Sequence, residues 1–193
     1  MKKVILFACT GLLLAACVHS AAPADNQPFR AVSTMQTFSG SYENRGEGEA
    51  ASRAVYLSSL LWGGVDVAGV AHKDIERIQV AVDGTQVSVS ALSHGCVVYA
   101  KSYTEGADFK LSNGEISLKR DANLLTRGPG DVLVGPSYES VTLGLDARGD
   151  GKYRSQDAGA GLVFLMIPVA MADRSDIRFK RVDGALVTQP CGH

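Results

Sequence analysis

Two dipeptides constrain this chain most: Asp83-Gly84 and Asn113-Gly114, each set between stretches of alternating apolar and polar residues. Asp-Gly and Asn-Gly suit a two-residue type I′ turn, in which both central residues take positive φ, and such a turn joins antiparallel strands. Before the first turn, Ile78, Val80 and Val82 alternate with Arg77, Gln79 and Ala81; after it, Val87, Val89 and Ala91 alternate with Gln86, Ser88 and Ser90. A turn at Asp83-Gly84 pairs Val82 with Thr85, Val80 with Val87 and Ile78 with Val89, so the apolar residues meet on one face. At Asn113-Gly114 it pairs Ser112 with Glu115, Leu111 with Ile116 and Phe109 with Leu118, leaving Lys110 and Ser117 together on the other face. Two hairpins with workable registers predict antiparallel sheet.

Shorter signals extend the pattern. Residues 38–45, 96–103 and 140–145 alternate in part, 146–151 (DARGDG) reads as a turn from which 152–156 returns, and 177–182 closes the series. Residues 128–137 (GPGDVLVGPS), with two Gly-Pro steps, read as a loop. Residues 50–62 are the one helix candidate, with Leu57, Leu60 and Leu61 at helical spacing and Gly63-Gly64 to stop it. Residues 159–172 (GAGLVFLMIPVAMA) are too short an apolar run to cross a bilayer as a helix. They read as a strand buried on both faces, or else as a lip that dips into a membrane or onto a ligand. Pro168 cannot donate to a ladder and marks an edge or a bulge. The expected fold is all-β: an antiparallel meander forming a barrel or strongly curved sheet, with one short helix after the first strand.

The amino-terminal end has a different composition. Lys2 and Lys3 precede an uncharged apolar run over residues 4–14, followed by Leu14-Ala-Ala-Cys17. A basic start, a short apolar stretch and small residues before a cleavage point make a secretory signal. The Leu-Ala-Ala-Cys ending resembles the lipobox of bacterial lipoproteins. That resemblance implies a diacylglyceryl group on the Cys17 thiol, cleavage before Cys17 and acylation of the new amino terminus. It also implies a place in the bacterial cell envelope. Because Val18 rather than Asp follows the cysteine, the implied site is the outer membrane, facing the periplasm.

The expected organisation is a signal peptide over 1–16, a lipidated cysteine and flexible tether over 17–36, and one β-rich domain over 37–193. Residues 18–36 show neither a strand nor a helix period, and as coil would span roughly 25 Å. Losing Lys2 and Lys3 with the signal leaves 17 basic and 20 acidic residues, net −3. A mild negative charge argues against nucleic-acid binding and against electrostatic attraction to anionic lipid. The membrane contact would then come from the acyl chains.

With Cys9 lost and Cys17 acylated, Cys96 and Cys191 remain in an oxidising compartment, which predicts a disulfide. The rival is a metal site, because His94-Gly-Cys96 and Cys191-Gly-His193 mirror each other; ligands one residue apart are unlike the usual spacing of structural zinc sites. Asp146, Asp150 and Asp157 share features with a calcium loop, but Arg148 sits where an acidic or amide ligand belongs, and a hairpin turn explains the same residues. No G-x-S-x-G, H-E-x-x-H or phosphate-binding glycine loop is present, no cofactor is implied, and no enzyme is expected. His72 has no evident partner and reads as a surface residue. Trp62 with Tyr42, Tyr56, Tyr99 and Tyr103 would line a cavity or simply pack a core.

The Phe38-Ser-Gly40-Ser-Tyr42 start before a long meander is similar to the Gly-x-aromatic start of lipocalin-like proteins, a likeness that implies a small apolar ligand inside a barrel. The pattern over 38–182 also resembles that of small, uncharacterised bacterial lipoproteins. The expected function is that of a lipid-anchored, non-catalytic structural or interaction module meeting another envelope protein. The alternative is a binder of a small apolar ligand or lipid. The two differ in whether the interior is filled or hollow.

Overall fold

The computed structural model describes residues 16–48, 54–118, 124–125, 133–163 and 167–191. Its strands are β1 (Ala16–Ala21), β2 (Gly40–Glu43), β3 (Asp66–Val67), β4 (Val70–Ala71), β5 (Arg77–Asp83), β6 (Gln86–Ser93), β7 (Cys96–Thr104), β8 (Phe109–Ser112) and β9 (Glu115–Leu118). They continue with β10 (Leu124–Leu125), β11 (Leu133–Leu145), β12 (Gly151–Val163), β13 (Ile167–Phe179) and β14 (Arg181–Val182). The one α-helix among the described residues, α1, runs over Leu57–Trp62.

A seven-stranded sheet has the order β1-β13-β12-β11-β9-β8, with β10 also on β11, and a five-stranded sheet has the order β14-β2-β5-β6-β7. Both are antiparallel except where β1 joins β13 in parallel. One apolar core lies between them, built from Ile78, Val87 and Val89 of one sheet and Val141, Leu145, Tyr153, Ile177 and Phe179 of the other.

The all-β, antiparallel expectation holds, but among the described residues there is no closed barrel. The chain is not a simple meander: β2 inserts between β5 and β14, and the chain crosses from one sheet to the other between Phe179 and Arg181. The helix follows the second strand rather than the first, because residues 16–21 form a strand of their own. It is also shorter than expected. Residues 54–56 are extended, with Tyr56 bridged to Arg45, and Gly63 ends the helix at φ +67°.

The Asn113-Gly114 hairpin forms in the expected register, Leu111 opposite Ile116 and Phe109 opposite Leu118, with φ +53° and +82° at the turn. Gly114 is required twice. A Cβ there would also lie 2.3 Å from the backbone nitrogen of Val32. The first hairpin turns one residue later than expected, at Gly84-Thr85, so Val82 faces Val87 and Val80 faces Val89. Only Gly84 takes positive φ, at +59°. Glycine thus leads the turn, as in type II′, and Asp83 is spared the left-handed conformation. Partners move by two positions, so every residue keeps its face.

Residues 133–137, read as a loop, belong to β11, although the β11–β12 ladder skips Gly135 and Pro136. Proline has no N–H to give, and a two-residue strand, β10, lies against that edge instead. Residues 128–132 lie outside the described residues. The run 159–172 is not one strand: residues 159–163 and 167–172 lie on β12 and β13, paired with each other.

Residues 18–36, expected as a loose tether, are fastened to the domain. Beyond β1, Asn26 donates to Asp176 Oδ2 (2.7 Å) and accepts from Lys152 Nζ (2.6 Å). The Arg30 N–H donates to the Leu145 carbonyl at 2.7 Å, and the Phe29 ring lies under the Arg154 guanidinium at 4.5 Å. Met35 is buried in the core. These attachments use side chains at irregular intervals, and so leave no period in the sequence.

Candidate functional site

An apolar cavity of about 140 Å³ lies between the two sheets. The deep wall is Tyr42 of β2, Ile78 of β5, Leu145 of β11 and Phe179 of β13, all buried. Other lining residues are only half-buried: Leu61 of α1, Val80, Tyr103 of β7, Ile116 and Leu118 of β9, and Leu143. Strand alternation puts these residues there, since Ile78 and Val80 share one face of β5, Val87 and Val89 one face of β6, and Leu143 and Leu145 one face of β11.

The polar groups of the wall are already engaged. Tyr42 donates its hydroxyl to the Phe38 carbonyl at 2.8 Å, and burial raises its pKa above the usual tyrosine value. The Tyr103 hydroxyl accepts from the Trp62 indole N–H at 2.9 Å, and Trp62 packs edge-on to Tyr99 with ring centres 5.0 Å apart. Lys152 directs its ammonium to Asn26, to the Gln27 carbonyl and to Asp176. Of the five aromatic residues singled out, Tyr42 and Tyr103 line the cavity, Trp62 and Tyr99 stand behind Tyr103, and Tyr56 flanks the helix start. Such a wall suits an apolar guest held by shape and dispersion. The volume is near the ~150 Å³ that admits a benzene-sized molecule and below the ~300 Å³ where pockets for larger ligands begin.

Cys96 and Cys191 are joined as a disulfide, with Cα atoms 5.0 Å apart. It fixes the carboxy-terminal tail against β7, where the Val97 N–H donates to Gln189 O (2.9 Å) and the Cys191 N–H to Val97 O (3.1 Å). With its thiol committed there, Cys96 is not a thiolate ligand. His94 does not point to a metal site: at φ +51°, with Gly95 at +77°, it forms the exposed turn between β6 and β7. His193 lies outside the described residues. Cys17 stands on β1, in register with Met171.

Asp146 is no calcium ligand in this arrangement. Its Oδ1 accepts from the N–H groups of Arg148 (2.8 Å) and Asp150 (3.0 Å), and the residue is buried. The carboxylate folds its own turn, an Asx arrangement.

Contrary to the surface reading, His72 is buried. Its Nε2 lies 3.0 Å from the Gly63 carbonyl, so that nitrogen carries the proton, and Nδ1 accepts from the Ser58 hydroxyl at 2.9 Å. Asn44 completes the knot, donating to the carbonyls of His72 and Ile75 and accepting from the Ser58 N–H. A serine hydroxyl on a histidine is the geometry of an activated nucleophile, but Ser58 is 0% exposed. The knot holds the start of α1, hence Leu57 and Leu61, against the cavity. Its members lie 14 and 28 positions apart, with no motif to mark them.

The chain shows no match to a protein-family model, to a curated protein or to a solved structure.

Proposed function

We propose that this is a lipid-anchored protein of the bacterial cell envelope whose domain binds a small apolar molecule, or the end of an acyl chain, between its two sheets. The apolar cavity carries the reading. A space of about 140 Å³ lined by Ile78, Val80, Val89, Leu143 and Phe179 is an unfilled place in a core that otherwise packs on itself. Leaving it empty forfeits dispersion contacts, which a guest restores. Binding rather than catalysis follows from a wall whose described polar groups already have partners. The anchor in this proposal rests on the Leu14-Ala-Ala-Cys17 resemblance.

The test is uptake of benzene by the full-length protein, followed by NMR and by thermal unfolding. Binding to the native state alone raises stability by RT ln(1 + [L]/Kd), about 2.7 kcal/mol at a hundredfold excess over Kd. Val80→Phe, which puts a ring into the cavity from a half-buried lining position, should abolish the shift while the protein stays folded. If benzene shifts neither spectrum nor melting temperature, and native mass spectrometry of protein from its own host shows only the lipidated chain, the binding reading fails. The structural or interaction module then takes its place.

A further inference from the structure

Lys101 stands where strand alternation calls for an apolar residue. In the β6–β7 ladder Val87 faces Tyr103, Val89 faces Lys101 and Ala91 faces Tyr99. Val87, Val89 and Ala91 are buried in the core, and side chains directly opposite on paired strands point to the same side. Tyr99, Lys101 and Tyr103 therefore share the core-facing side of β7. The lysine escapes burial because β7 ends its sheet, and it lies exposed between two half-buried tyrosines.

Lys152, Arg181 and Lys101 all stand on or over the wall of the apolar cavity, and the first two are committed. Lys152 is held by Asn26, the Gln27 carbonyl and Asp176. Arg181 lies 5.8 Å from the centre of the Tyr42 ring but donates to the carbonyls of Thr37 and Ser39. Lys101 holds its ammonium 5.0 Å from the centre of the Tyr103 ring. No carboxylate or other acceptor meets that ammonium among the described residues.

Tyr103 itself lines the cavity. Its hydroxyl accepts from Trp62, and burial raises its pKa above the usual tyrosine value, so it keeps its proton at neutral pH. That proton has no acceptor among the described residues. Asp108, an acid that bears on Tyr103, is turned away to the Thr104 N–H, which it accepts at 2.8 Å.

We infer that the guest is a short carboxylic acid in its ionised form, with its tail among Ile78, Val89 and Leu143 and its carboxylate on the Lys101 ammonium at the edge of β7. The Tyr103 O–H is the second donor. This rests on the reading of the cavity as a binding site. One positive charge matches a single negative charge, and a cavity of benzene size takes a tail of about six carbons. The head stays within reach of water, so binding removes the tail from solvent without burying a charge.

The test titrates the full-length protein with hexanoate and with hexanol at neutral pH, followed by calorimetry. The two share a tail and differ only in the head. Hexanoate should bind about fivefold more tightly, the effect of an exposed ion pair. Lys101→Gln should lose that preference while keeping its affinity for hexanol, and Lys101→Arg should keep the preference. If hexanol binds as tightly as hexanoate, or Lys101→Gln still prefers the acid, the inference is overturned. Lys101 would then be the inward-pointing charge that keeps an edge strand from pairing with another chain. Benzene separates the two readings. If benzene binds but hexanoate does not, only the inference falls, and if none of the three binds, the cavity reading falls with it.

Discussion

Asp176 has more at stake than any other side chain described. Burial pushes its carboxyl pKa up, yet hydrogen bonds from Arg154 (2.7 Å), Asn26 and Lys152 outweigh that and hold it well below the ordinary carboxylate range. Lys152 lies 3.1 Å away, and both side chains are almost fully enclosed. Removing one charge of such a pair strands the other. Asp176→Asn should therefore cost about 3–5 kcal/mol in chemical denaturation, and should loosen Asn26, Gln27 and Phe29, which meet Lys152 and Arg154 beside it. Asp25 belongs to the same region: hydrogen bonds from Arg178 and Arg148 lower its pKa to about 2. Both carboxyls have folded pKa values below their unfolded value of about 4, so the unfolded chain binds more protons in acid. Their stabilisation is complete above the unfolded pKa and drains away as pH falls toward the folded values. The melting temperature should be flat down to about pH 5 and fall below about pH 4, less steeply in Asp25→Asn.

At the scale of elements, the disulfide and the tail it holds guard the free edge of β7. Replacing Cys96 and Cys191 together by serine should lower stability by about 2–5 kcal/mol. It should also speed amide exchange at Val97 and Cys191, whose N–H groups bond across that edge; unchanged exchange there would contradict the role. Much of the sheet was legible in the sequence because period-two alternation survives wherever one face is buried, as in residues 78–91 and 109–118. The turn at Gly84-Thr85 was misplaced by one residue because Asp-Gly satisfies two turn types, and only packing chooses between them. Helix α1 and the Ser58–His72–Asn44 knot were not legible as a site, since side-chain hydrogen bonds over long separations leave no pattern. Residues 25–36 were misread for the same reason. The cavity was foreseen as one of two states of the interior, but alternation reveals which face is apolar and not whether that face is completely filled.

For the molecule as a whole, one residue is expected to govern address and processing. Cys17→Ser should abolish acylation and leave the precursor uncleaved, visible as a heavier band and a mass with no lipid; normal maturation of that variant would end the anchor reading. The pairing of β1 with β13 has a further consequence, for the order of events during synthesis. Residues 16–21 are made 154 positions before their partners, residues 170–175. Contacts this distant in sequence form late. Until then Cys17 lies on open chain, within reach of a modifying enzyme, and afterwards it is part of a paired strand. A lipid added in that interval would be on the chain before the sheet closes, so closing the last parallel ladder would be what turns a dangling precursor into a seated protein.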